Sequence, residues 1–64
     1  DGMLLYNVGC IYAMAGLPGD ALECLERACA LGLRQKGWYE HDSNLDSLRG
    51  EPRFQELLRS LGEG

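Results

Sequence analysis

The sequence has no threonine, and Val8 and Ile11 are its only β-branched aliphatic residues. With Leu, Ala, Glu and Arg dominant instead, a sheet has little to build from, and the expected class is all-α. Basic residues are also scarce. Six Lys and Arg stand against ten Asp and Glu, for a net charge of −4, which repels phosphate backbones and anionic headgroups and argues against nucleic-acid or membrane partners. The longest apolar run, Cys10 to Ala15, is far short of the roughly 20 residues that cross a bilayer, and no basic-then-apolar start resembles a signal peptide. Three cysteines make an odd set, unlike the paired framework of a small secreted domain, so a reducing compartment and a cytoplasmic location are expected. At 64 residues the chain is one small domain, and its start at Asp1 reads as a piece of a longer protein.

Glycine and proline divide what remains into helical stretches, with breaks at Gly16 to Gly19, Gly32 to Gly37 and Gly50 to Pro52. In the first stretch Leu5, Val8, Gly9, Tyr12 and Gly16 recur at three- and four-residue steps and share one side of a helix. No charged side chain occurs from Gly2 to Gly19, so Met3, Tyr6, Asn7, Cys10, Ala13 and Met14 make a second, weakly polar face. A helix apolar nearly all round expects neighbours on more than one side. The second helix runs from about Pro18 to Leu31 and gathers Ala21, Leu22, Cys24, Leu25, Ala28, Cys29 and Leu31 on one arc. Pro18 suits its first turn and Gly32 its left-handed termination. Leu33 to Glu40 reads as a loop carrying Trp38 and Tyr39. Asp42 or Ser43 can cap a short turn through Leu45 and Leu48, and a last helix from Pro52 aligns Phe54, Leu57, Leu58 and Leu61.

The first two helices resemble a tetratricopeptide repeat, a helix-turn-helix unit of about 34 residues. Gly9 stands at the repeat's small crossing position, Tyr12 at its following aromatic, Gly16 at its turn glycine, and Ala21 and Ala28 at the small positions of its second helix. Leu5, Val8, Leu25 and Leu31 take the large apolar positions. Leu5 replaces the usual first aromatic and Leu33 the usual closing proline, so the chain is not expected to lead straight into another standard repeat. The tail, with Asp42, Leu45, Leu48-Arg49 and Pro52-Arg53-Phe54, is similar to the segment that closes tetratricopeptide arrays in many bacterial regulatory proteins. The resemblance implies a hairpin over residues 1–34 and a connecting loop with a C-terminal capping helix over 35–64 of the same domain. Leu45, Leu48, Phe54, Leu57 and Leu58 would cover the open side of the helix pair.

That resemblance implies a protein-interaction module ending an array. The alternative is the non-catalytic regulatory or assembly end of a signalling enzyme such as a protein kinase or cyclase. Arrays of this kind bind extended peptides on their concave side, where Met3, Tyr6, Asn7, Cys10, Ala13 and Met14 would lie, or pack that side on a neighbouring repeat or second copy. The basic residues of a carboxylate clamp are missing. Leu4, Val8, Ile11 and Ala15 point where a preceding repeat would pack and are the expected self-association surface, making a homo-oligomer the natural outcome for the chain alone. No cofactor, metal or catalytic residue is expected. Cys24 and Cys29 lie about 140° apart on their helix and cannot grip one ion together, and His41 beside Asp42 is a thin basis for activating a cysteine nucleophile. Cys10, on the weakly polar face, is expected to be the first thiol to react.

Overall fold

A computed structural model describes residues 1–63; Gly64, the last residue assigned to the capping segment, lies outside the described residues. Among them no strand occurs, and the molecule is all-helical. Helix α1 spans Gly2–Met14, α2 Pro18–Ala30, α3 Lys36–His41 and α4 Pro52–Glu63, with a 3-10 helix over Ser43–Leu48 between α3 and α4. No helix is long and apolar enough to cross a membrane among these residues.

Local chemistry sets the helix ends. The Asp1 carboxylate accepts the Leu4 N–H at 2.8 Å and caps α1, satisfying a donor that has no partner inside the helix. Gly16, at φ +80°, lets the chain reverse, so that the Leu17 N–H reaches back to the Tyr12 carbonyl at 3.0 Å. Gly32, at φ +108°, does the same for α2, with the Leu33 N–H on the Ala28 carbonyl. Pro18 opens α2 and Asp20 lies in its first turn, where negative charge meets the positive end of the helix dipole.

Helices α1 and α2 pack as an antiparallel hairpin, the 3-10 helix packs on α1, and α4 reaches α3 and α2. The hairpin closes tightly because Gly9 faces Leu25. A Cβ at that position would come within 3.0 Å of Leu25 Cδ2 and 3.3 Å of the Ala21 carbonyl oxygen. Ala21, Leu25 and Ala28 are fully buried beside it. From the C-terminal half, Tyr39, Leu45, Leu48, Phe54, Leu57 and Leu61 complete the core, while Leu58 is half-buried at its edge. The Arg49 guanidinium ties the turn together: Nε donates to Asp46 at 2.9 Å, Nη2 to the Asp42 carbonyl at 3.0 Å, and its centre lies 5.7 Å from the Phe54 ring centroid. Arg53 makes a two-pronged ion pair with Glu26, at 2.6 and 3.2 Å, joining α4 to α2.

One expected loop is partly a helix. Lys36–His41 is α-helical, although Gly37 weakens it and no apolar period announces it. Tertiary burial makes the difference. Tyr39 is drawn fully into the core, its hydroxyl donates to the Leu33 carbonyl at 2.6 Å, and Lys36 and Glu40 face each other one turn apart.

Candidate functional site

Helix α1 carries no ionisable side chain along its whole surface other than Tyr6, Cys10 and Tyr12, so what surrounds it decides what it can do. Its inner arc is occupied by the chain's own C-terminal half. The Tyr6 hydroxyl donates to Oδ2 of Asp42 at 2.8 Å, with the Trp38 carbonyl oxygen 3.2 Å away. The Cys10 thiol points at the same carboxylate oxygen, 3.8 Å from it. The other oxygen of Asp42 accepts the Asn44 N–H at 2.9 Å and caps the 3-10 helix. One turn further along α1, the Ala13 carbonyl accepts a hydrogen bond from the Ser47 hydroxyl at 3.1 Å. The Tyr6 ring meets Tyr39 and Trp38 edge to face, with centroids 5.1 and 5.7 Å apart, an arrangement the ring quadrupoles favour.

These contacts hold the inner groups protonated. Burial, then the hydrogen bond to Asp42 and its negative charge, raises the Tyr6 hydroxyl well above the usual phenol range. Burial and then the Asp42 charge push the Cys10 thiol up to about 11, against a smaller lowering by Tyr6. Tyr39 is likewise raised, by burial and then by the adjacent Cys29 thiol. A nucleophile or general base at neutral pH needs the opposite tuning.

The expected concave face therefore divides. Tyr6, Cys10 and Ala13 are buried under α3 and the 3-10 helix and do not line an open surface, because the tail folds back over them. Met3, Asn7 and Met14 remain exposed at its margin. The expectation for Cys10 is corrected for the same reason: it is buried and its thiol is held protonated, whereas Cys24 is the cysteine that is not buried. Asp42, read from the sequence only as a cap, joins the two halves of the chain. A buried tyrosine on a charge-free helix needs a polar partner from elsewhere, and that requirement was the available clue.

The outer arc is open. Met3 is 44% exposed, Leu4 61%, Ile11 60% and Met14 62%; Asn7 and Ala15 are exposed between and beyond them, and Val8 is half-buried at the edge. Leu4, Val8, Ile11 and Ala15 follow one another at steps of four, three and four along this arc, so the structure brings the expected self-association residues together on one stripe. Elsewhere Leu17, Leu31 and Trp38 are the other large exposed apolar side chains. Among the described residues no enclosed pocket is present, and no three His, Cys, Asp or Glu side chains converge as a metal site.

Comparison with protein-family models, with curated proteins and with solved structures finds no match to this chain.

Proposed function

We propose that the chain is a protein-interaction module: a tetratricopeptide-like hairpin, closed on one side by its own C-terminal segment, that offers the outer face of α1 to a protein partner. The observation that carries this reading is the exposure of Leu4, Ile11 and Met14, each about three-fifths open on a helix with no charged side chain. A helix facing only water ordinarily carries charge on that side, and a contiguous apolar patch is the usual signature of a docking surface. The module is non-catalytic in this reading. It acts as the closing unit of a larger, bacterial-type regulatory protein in the cytoplasm, with the tail sealing the inner side of the hairpin and the outer face of α1 meeting the neighbouring protein surface, which in an array is the preceding repeat.

Selection of helical peptides from a displayed library, on the wild-type domain and on Ile11→Glu in parallel, tests the reading. Binders should be enriched on the wild type and lost on the variant, and their amide-shift footprint should fall on Leu4, Val8, Ile11 and Met14. Binders that survive Ile11→Glu, or a footprint on α4, would overturn it. Ile11 is largely exposed, so the variant should keep its helicity and melting temperature, which circular dichroism checks.

A further inference from the structure

We propose that Tyr6 is a redox-active tyrosine: a one-electron oxidant in solution takes an electron from Trp38, Trp38 recovers one from Tyr6, and the phenolic proton of Tyr6 crosses to the Asp42 carboxylate. This activity lies on the inner side of α1 and does not rest on the docking role of its outer face.

Exposure, ring contact and a built-in base converge on this residue. Trp38 is the single tryptophan and is 44% exposed, whereas Tyr6 is 4% exposed, so an oxidant in water meets the indole first. The two rings meet edge to face with centroids 5.7 Å apart, and an electron passes between them without an intermediate carrier. Enclosed as it is, Tyr6 cannot hand its proton to bulk water, and a phenol that loses only an electron becomes a buried cation, which is costly to keep. The proton acceptor must be internal. Oδ2 of Asp42 accepts the shorter of the two hydrogen bonds of the Tyr6 hydroxyl, at 2.8 Å, while the other acceptor is the neutral Trp38 carbonyl at 3.2 Å. Tyr39 lies as close to Tyr6, at 5.1 Å between centroids, but its hydroxyl donates to the Leu33 backbone carbonyl, which accepts a hydrogen bond and not a proton. The oxidising equivalent therefore stops at Tyr6.

The surroundings of Asp42 leave Oδ2 available. Its Oδ1 holds the Asn44 N–H, Arg49 Nη2 donates to the Asp42 backbone carbonyl rather than to the carboxylate, and the Cys10 thiol, 3.8 Å from Oδ2, is a weak donor. The sequence of steps balances. First the oxidant gains one electron, and the Trp38 radical sheds its N–H proton to solvent. Then that radical gains one electron from Tyr6 and one proton from solvent, which restores the indole, while the Tyr6 O–H bond breaks and its proton forms an O–H bond on Asp42 Oδ2. The products are a neutral phenoxyl radical and a neutral carboxylic acid, so no charge is left enclosed. At neutral pH an indole radical oxidises a phenol, and the transfer runs downhill from Trp38 to Tyr6.

Pulse radiolysis with the azide radical, which oxidises indole in preference to phenol, tests the proposal on the whole chain by transient absorption. In the wild type the tryptophanyl band should decay at a rate independent of protein concentration while the tyrosyl band rises with it. Tyr6→Phe keeps the ring contact and should slow that decay severalfold and remove most of the tyrosyl band, whereas Tyr39→Phe should leave both as in the wild type. Asp42→Asn keeps the shape of the side chain but supplies no base, and should slow the transfer severalfold; circular dichroism confirms that each variant is folded. Should Asp42→Asn not fold, electron–nuclear double resonance on the rapidly frozen wild-type radical in D2O takes its place, and should find one exchangeable deuteron bonded to the phenoxyl oxygen. A tyrosyl band that survives Tyr6→Phe, or one lost with Tyr39→Phe, overturns the assignment to Tyr6. A folded Asp42→Asn that transfers at the wild-type rate, or a phenoxyl oxygen with no such deuteron, overturns Asp42 as the proton acceptor.

Discussion

The hydrogen bond from Tyr6 to Asp42 should couple the two halves of the chain energetically, and a double-mutant cycle can measure that coupling. Tyr6→Phe removes one oxygen from a buried ring and leaves its edge contacts to Tyr39 and Trp38 in place. Hydrogen bonds to a charged group contribute about 1.5 to 3 kcal/mol when both partners are buried. Asp42 is only half-buried, so water partly replaces the lost donor and about 1 to 2 kcal/mol is expected. Asp42→Ala removes both carboxylate oxygens, and the lost cap on the Asn44 N–H is common to Asp42→Ala with and without Tyr6→Phe, so it cancels in the cycle. The cycle should return a coupling of about 1 kcal/mol, a large share of the roughly 3 to 10 kcal/mol that a domain of this size possesses. Urea unfolding can be followed by far-ultraviolet circular dichroism and by the single tryptophan, Trp38, which sits against Tyr6. A coupling below about 0.3 kcal/mol, the error of such cycles, would refute the claim that this contact holds the tail to α1.

Other perturbations have equally definite outcomes. Phe54→Ala empties a fully buried site and should cost about 3 to 5 kcal/mol, so chemical denaturation near neutral pH should find the domain largely unfolded; an unchanged midpoint would contradict its place in the core. Gly9→Ala should destabilise by about 1 to 3 kcal/mol despite its better helix propensity, because the new methyl meets Leu25, while Gly19→Ala meets nothing within 4 Å and should be neutral or stabilising. Timed alkylation read by mass spectrometry should modify Cys24 before Cys10 or Cys29, and labelling of Cys10 first would show that the tail does not cover it. Stability should fall in alkali. Cys10, Tyr6 and Tyr39 are held protonated in the fold above ordinary values of 9.0, 10.0 and 10.0. The unfolded chain therefore loses these protons first, and the contribution is complete below about pH 9 and declines above it, by up to about 1.4 kcal/mol per pH unit for each group. Denaturation midpoints at about pH 8 and about pH 10.5, on either side of that onset, check this, and Tyr6→Phe should flatten the decline above about pH 10.

Helices α2 and α4 were legible in the sequence because their apolar spacing is regular, and α1 because the break at Gly16 to Gly19 ends an uninterrupted stretch with few strand formers. Pro18 and Gly32 bracket α2 and Pro52 opens α4, so even their ends could be read. Helix α3 could not. It is one turn and a half with a glycine inside, and it exists because Tyr39 is buried by residues distant in the chain. Helix α1 was legible as a helix but not as a pair of faces. With apolar residues on every side, periodicity does not say which arc is covered, and the deciding contacts join Tyr6 and Cys10 to Asp42, 36 and 32 positions away. The stripe of Leu4, Val8, Ile11 and Ala15 was readable because its steps of four and three are local to one helix and depend on no distant contact.

The central claim is that α1 is closed on its inner side by the chain's own tail and open on its outer side. Solvent paramagnetic relaxation on methyl- and ring-labelled protein reads both faces in one experiment. The methyls of Leu4, Ile11 and Met14 should be strongly attenuated by a soluble gadolinium complex, while the Ala13 methyl and the Tyr6 ring are spared. Attenuation of Ala13 and Tyr6 comparable to that of Ile11 would mean that the tail does not cover the inner face, and the account built on that closure would fail.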